Sequence, residues 1–374
     1  MKLEFHAQRL FRASNDTCRR AAVALHRPAW QAPRRTMQQF ARESDRSPRP
    51  PLEVYGPIDN AQFRELAFAP ETPLVMRRRG NEYPVKLPAL NQWFNHNRGL
   101  ETERTSTTIS PRLRKWADLI LEYEMMCPNS VALDPSVPGD VALRDFLLWM
   151  ANHQEYQFLE KLLVKCIEND FGDPDGGAPE TKLLRFSAPL ALLFAALDHI
   201  QAGGRFRGLY IAQSPLGSLP LPLQQDVPTP DLVQHAGKGD IYGTSVWMGL
   251  EPTYTPLHRD PNPNLFCQLC GFKSIRLLPP SSGTSVFMAA QKKAGALSFS
   301  PRLGVEMMTG LQRDALDDAV WGPDAPANVE QAILQPGDAM FIPKGWWHSV
   351  KSVRGQDEAE GPSRVNCSVN WWFR

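Results

Sequence analysis

From Gly204 onward the chain is a succession of short apolar runs cut by Gly, Pro and Asn, and this punctuation limits its fold more than any other feature. The runs occupy residues 209–212, 244–249, 265–270, 274–278, 339–342 and 366–372. Each has the length of a strand and falls short of an ordinary helix, so the spacing predicts an antiparallel sandwich or barrel.

The upstream half reads differently. Residues 52–55 and 73–77 have the pattern of short strands, separated by a helical turn around residues 60–66. Trp116, Leu119, Ile120 and Tyr123 recur at helical spacing before Pro128, which predicts a first helix there. A second helix is expected from near Asp140, carrying Phe146, Trp149, Met150, Phe158, Leu162 and Ile167, and ending before Gly172 and Pro174. A third is expected from Pro189 to the Gly203-Gly204 pair. Ser47-Pro48-Arg49-Pro50-Pro51 is a proline-rich joint, and the folded body is expected to start near residue 50.

Charge and cysteine content exclude several classes. With 41 basic and 40 acidic side chains the formal net charge is +1, so no global field favours nucleic acid or an anionic membrane. Six cysteines in 374 residues are too sparse for a disulfide scaffold, which fits a reducing intracellular compartment. Cys267 and Cys270 form a Cys-x-x-Cys pair, but no second pair completes a zinc tetrahedron, so they read as small apolar residues of a buried strand. No stretch approaches the roughly 20 apolar residues of a membrane span. The first 35 residues are rich in arginine and read either as a mitochondrial presequence or as a solvated basic extension. Mitochondrial and cytoplasmic or nuclear locations both stay open.

The chemistry-bearing segment is Thr255-Pro256-Leu257-His258-Arg259-Asp260. His and Asp two apart on a strand point to the same face. A third candidate ligand is His348, at the far end of a strand launched by the Gly337-Asp338 turn. Two histidines and one carboxylate on one face of a metal leave further positions open, the arrangement of non-haem iron(II) oxygenases. Taken alone, a histidine beside an acid is more often a satisfied polar pair. Lys273 follows at the distance of one hairpin. If buried, its ammonium could pair with the distal carboxylate of a keto acid, although a lysine is by default a surface group.

The ordered set of Thr255 to Asp260, Asn264 with Phe266, Gly271 with Lys273, Pro336 to His348, and Val369-Asn370-Trp371-Trp372 resembles the JmjC-type cupin oxygenases, in particular the asparaginyl hydroxylase that inhibits hypoxia-inducible factor. The resemblance extends from about Tyr210 to the C-terminus. It implies an α+β chain whose C-terminal part is a double-stranded β-helix, or jelly roll, with a helical region packed before and around it. Residues 1–50 would be a basic extension, 51–208 a mixed and helical region, and 209–374 the catalytic domain.

The resemblance also implies roles. His258, Asp260 and His348 would bind iron(II). Lys273, Thr255 and Tyr210 would hold the distal carboxylate of 2-oxoglutarate, with Asn264 and Asn370 beside its metal-bound end and Phe266 and Trp372 walling the pocket. The implied reaction consumes 2-oxoglutarate and O2, releases succinate and carbon dioxide, and hydroxylates a side chain of a protein substrate. The same chemistry on a small molecule or an RNA base, lysine demethylation, and a non-catalytic cupin-like binding protein are the alternatives. No DNA-binding module is evident, and the sequence leaves the oligomeric state open.

Overall fold

Strands buried on both faces in the second half build a two-sheet sandwich. The structure, a computed structural model, describes residues 48–98, 105–128, 141–170, 181–296, 300–353 and 365–374. The basic segment before residue 48 lies outside the described residues. The upstream strands are β1 (Leu52–Tyr55), β2 (Leu74–Arg77), the hairpin β3 (Phe94–Arg98) and β4 (Thr105–Ile109), β5 (Ile120–Pro128) and β6 (Thr181–Pro189). Next come β7 (Leu209–Pro215), β8 (Ile241–Leu250), β9 (Tyr254–Arg259), β10 (Asn264–Cys270) and β11 (Phe272–Leu278). The last four are β12 (Glu330–Leu334), β13 (Ala339–Ile342), β14 (Trp347–Val353) and β15 (Val365–Phe373).

A larger sheet runs in the order β1-β2-β13-β10-β15-β8-β7-β5-β6, and a smaller one in the order β12-β11-β14-β9. From β8 onward the chain passes repeatedly between them: β8, β10, β13 and β15 join the larger sheet, and β9, β11, β12 and β14 the smaller. Strands β8 to β15, all paired antiparallel and wound between the two sheets in this way, form the expected double-stranded β-helix, and the one parallel pair among the described strands is β1 with β2 at the edge of the larger sheet. Strands from both sides of residue 208 share the larger sheet, and the described residues form one compact unit.

Each sheet face has its own apolar cluster. Phe266, Ile275, Leu277, Ala332, Leu334, Met340, Ile342 and Val350 fill the interior between the sheets. The outer face of the larger sheet, with Leu265, Cys267, Leu269, Cys367, Val369 and Trp371, packs into the largest cluster along with residues of the upstream helices. The outer face of the smaller sheet, with Leu257, Leu278 and Trp347, is covered by the helices Pro280–Lys293 and Gly310–Trp321. Cys267 and Cys270 are buried strand residues with free thiols, as expected.

The upstream expectations need three corrections. Residues expected in a first helix form β5 instead, because Tyr123, Met125 and Cys127 are buried in alternation with the more open Glu122, Glu124 and Met126. That period of two outweighs the apparent period of four through Trp116 and Ile120. The second helix is two, Val141–Ala151 and Gln157–Asp170, because the chain turns through residues 152–156, where the Gln157 amide donates back to the Ala151 carbonyl. Its expected limits at Asp140, Gly172 and Pro174 lie outside the described residues. The third helix begins at Ala191, with Pro189 ending β6.

Candidate metal centre

The two histidines meet because β9 and β14 are antiparallel neighbours in a register that sets His258 directly opposite His348. Their ring centroids are 4.2 Å apart. Asp260, just past the end of β9, places its carboxylate oxygens 3.9 Å from His258 Nε2 and 3.6 Å from His348 Nε2. All three ligand atoms lie within 4.8 Å of one another, and among the described residues this is the one such group of His, Cys, Asp or Glu able to hold a metal ion. His348 does not lie at the far end of the strand that the Gly337-Asp338 turn launches. That strand is β13; the chain turns after Pro343 through Gly345, at φ 82°, and His348 lies in β14.

Hydrogen bonding fixes the histidines for ligation. His258 Nδ1 donates to the Pro256 carbonyl at 2.8 Å, and His348 Nδ1 to the Trp346 carbonyl at 3.4 Å. A carbonyl only accepts, so each Nδ1 carries a proton and each ring turns its Nε2, the atom that would ligate a metal, toward Asp260. Burial and the neighbouring His258 lower the His348 imidazole to about 4, which keeps it neutral at physiological pH. Burial alone would raise the Asp260 carboxyl, but the positive charge that the His348 and His258 rings carry when protonated, with hydrogen bonds from Trp372 and Asn264, outweighs it and lowers it overall. Two imidazole Nε2 atoms and one carboxylate, nearly out of water and aimed at one point, fit a divalent transition ion.

Behind the triad the interior face of the larger sheet is unusually polar. Alternate residues on β15 place Asn366, Ser368 and Asn370 inside, and β10 adds Asn264 and Gln268, all almost fully buried. Lys273 enters from β11 and is 2% exposed. Its Nζ donates to Ser368 Oγ at 2.9 Å and lies 3.5 Å from the Tyr210 hydroxyl, above the Phe266 ring. Among the described residues no carboxylate stands within ion-pair distance of it. Burial therefore pushes the ammonium down to about 8. A buried ammonium with no ion-paired carboxylate among the described residues, flanked by hydroxyls, is suited to an anion.

Lys273 is not reached through a simple hairpin. β10 and β11 belong to opposite sheets, and Gly271, at φ 68°, hands the chain from one to the other. A Cβ there would stand 2.6 Å from Asn366 Nδ2, which donates to Glu251 and to the Phe272 carbonyl.

One narrow pocket gathers every residue singled out in the sequence: His258, Asp260, His348, Thr255, Lys273, Tyr210, Asn264, Phe266, Asn370 and Trp372. Trp247 and Val350 complete its wall, and Ser368 underlies Lys273. Sequence reasoning missed these three, although the alternation of Asn366, Ser368 and Asn370 in an otherwise apolar strand was a signal for Ser368. Tyr210, Trp247, Thr255 and Trp372 also line an outer groove of about 900 Å³, whose far walls are Glu122 and Glu124 of β5 and Ala212 and Gln213 of β7.

A double-stranded β-helix with two histidines and an aspartate at one mouth defines a cupin-type metal-site protein. The chain belongs to the family described as "Cupin-like domain", whose sequence pattern matches residues 168–374, more than half of its length. It is 27% identical over 164 residues to "Lysine-specific demethylase JMJ30" of Arabidopsis thaliana, covering 44% of this chain and 33% of that protein. It is 28% identical over 166 residues to "Jumonji C domain-containing protein 5" of Drosophila melanogaster, covering 44% of this chain and 36% of the relative. Over 220 residues it is 25% identical to the human "Bifunctional peptidase and (3S)-lysyl hydroxylase JMJD7", 54% of this chain and 65% of that one. The first two matches span about a third of those relatives. The resemblance to JmjC proteins is thereby borne out. No helix among the described residues is long and apolar enough to cross a membrane.

Proposed function

We propose that the chain is an iron(II)- and 2-oxoglutarate-dependent dioxygenase that hydroxylates a side chain of a protein substrate. The observation that carries this reading is the meeting, in one pocket, of a His258–Asp260–His348 triad with the buried ammonium of Lys273. A metal site alone would fit many cupins. A metal site paired with a buried cation fits a ligand that is both chelating and dianionic.

His258, Asp260 and His348 would hold the iron, with the Pro256 and Trp346 carbonyls fixing the imidazole tautomers. Lys273 would neutralise the distal carboxylate of 2-oxoglutarate, with Thr255 and Tyr210 adding hydroxyl groups, while Asn264 and Asn370 stand beside the metal-bound end. Iron(II) held there would supply the chemistry by which 2-oxoglutarate and O2 give succinate and carbon dioxide, with one oxygen atom entering a substrate C–H bond. Phe266 and Trp372 wall the pocket against water, which protects such chemistry from side reactions. The outer groove, at about 900 Å³, has room for a peptide segment that sends one side chain inward.

Lysine demethylation is the second reading, favoured by the name of the Arabidopsis relative. It needs the same triad and cosubstrate and differs in losing a methyl group after hydroxylation. Purified protein supplied with iron(II), ascorbate and 2-oxoglutarate is expected to release succinate, and His258→Ala to release none above background. Equal release from both would remove the enzyme reading. Mass spectrometry of cellular proteins with and without an active Asp260 then separates the two outcomes, by gain of one oxygen atom or loss of a methyl group.

A further inference from the structure

Three adjacent strands of the larger sheet carry a line of hydrogen bonds that ends on the metal site. On β8, Trp247 Nε1 donates to Asn370 Oδ1 of β15 at 2.8 Å. Asn370 Nδ2 donates to Asn264 Oδ1 of β10 at 3.1 Å. Asn264 Nδ2 donates to Asp260 Oδ2 at 2.9 Å. The strands lie in the order β10-β15-β8, so the line runs across the sheet and then over to the end of β9.

The chain of bonds has one possible direction. An indole nitrogen only donates, and an ionised carboxylate only accepts. With a donor fixed at one end and an acceptor at the other, both amides have a single orientation that satisfies every link. Turning either amide over would oppose two donors at one junction and two acceptors at the next. Both asparagines are almost fully buried, Asn370 at 1% exposure and Asn264 at 4%, so water does not offer an alternative partner of equal quality. Trp247 is half-buried and lines both the inner pocket and the outer groove.

We propose that Trp247 is a positioning residue for the metal site: its indole N–H sets the orientation of the Asn370 and Asn264 amides, and through them that of the Asp260 carboxylate. The proposal rests on the reading of His258, Asp260 and His348 as metal ligands. Groups that orient a ligand from behind typically change metal affinity by about 10- to 100-fold when removed. A contact two amides away belongs at the lower end of that range.

The test uses the full chain and cobalt(II) as the metal, read by its binding isotherm and its visible d–d absorption. Trp247→Phe keeps an aromatic wall and removes the N–H. It is expected to weaken cobalt binding about tenfold and to shift the d–d band, while in an Asn264→Ala background, where the line is already cut, the same substitution changes nothing further. Asn370→Asp supplies a second variant, because it still accepts from Trp247 but cannot donate to Asn264, and it is expected to reproduce the loss. Wild-type affinity and spectrum in Trp247→Phe would overturn the proposal, as would an equal effect in both backgrounds. Cobalt binding that His258→Ala leaves untouched would instead overturn the metal-site reading beneath it.

Discussion

Lys273 shows how one residue can be costly to the fold and necessary to a ligand. Burial holds its ammonium at about 8, against an ordinary 10.5. Between those values the unfolded chain binds a proton that the folded chain does not, so the contribution of this group to stability rises as pH climbs from about 8 toward 10.5. An anion in the pocket reverses the preference by favouring the charged form. Affinity for 2-oxoglutarate is therefore expected to be level below about pH 8 and to fall about tenfold per pH unit above it, because a proton must then be taken up with the ligand. Calorimetry in two buffers of different ionisation enthalpy reads that proton directly, and an affinity unchanged across the alkaline range would refute the assignment. Asp338 makes the contrasting case. It shares a sequence segment with His348 and is chemically suited to ligation, yet it is fully buried away from the triad, bonded to Arg77 at 2.8 Å and to the Arg78 and Gln335 amides. Asp338→Asn is expected to lower stability by about 3 kcal/mol in urea unfolding while leaving metal affinity of the folded protein unchanged.

At the scale of elements, the turn at Gly271 sets where Lys273 stands. A side chain there meets both a left-handed backbone and the Asn366 amide that ties the turn to Glu251. Gly271→Ala is expected to cost about 2 kcal/mol and to weaken 2-oxoglutarate binding, while cobalt affinity stays near wild type because β9 and β14 are untouched; loss of both affinities together would contradict this division. The strands of the jelly roll were legible because four of the six apolar runs stop at a Gly or Pro (Gly249, Gly271, Pro279, Pro343), and the sequence ranges 339–342 and 265–270 match β13 and β10 to within a residue. The stretch now forming β5 was not, because its apolar residues satisfy a period of four at one end and of two at the other. Pairing with β6 along its whole length settles it as a strand, and that pairing is a long-range fact absent from any local window. The break at residues 152–156 was missed for a related reason: apolar residues continue on both sides of it, and only the burial of Phe146, Met150, Leu163 and Ile167 against an exposed Phe158 shows two faces.

Across the whole molecule, the sandwich brings residues from Tyr210 to Trp372 into one pocket, which no local pattern encodes. The ten site residues could be named from sequence because their order matches a family, and order is what a resemblance preserves. Trp247 could not, since it acts through a neighbour that only the winding of the sheets supplies, and Ser368 was signalled only by the polar alternation of β15. The same winding places the triad in a narrow pocket that shares Tyr210, Trp247, Thr255 and Trp372 with a broad outer groove. The central claim is that the triad and Lys273 form one site for iron(II) and 2-oxoglutarate together. An anaerobic titration with both, followed by the visible charge-transfer absorption that a chelated keto acid gives with iron(II), tests it most directly. The account predicts a band in the wild type only when both are present, none in His258→Ala, and a need for far more 2-oxoglutarate in Lys273→Met. A wild-type protein that gives no band, or a band that persists unchanged in both variants, would contradict it.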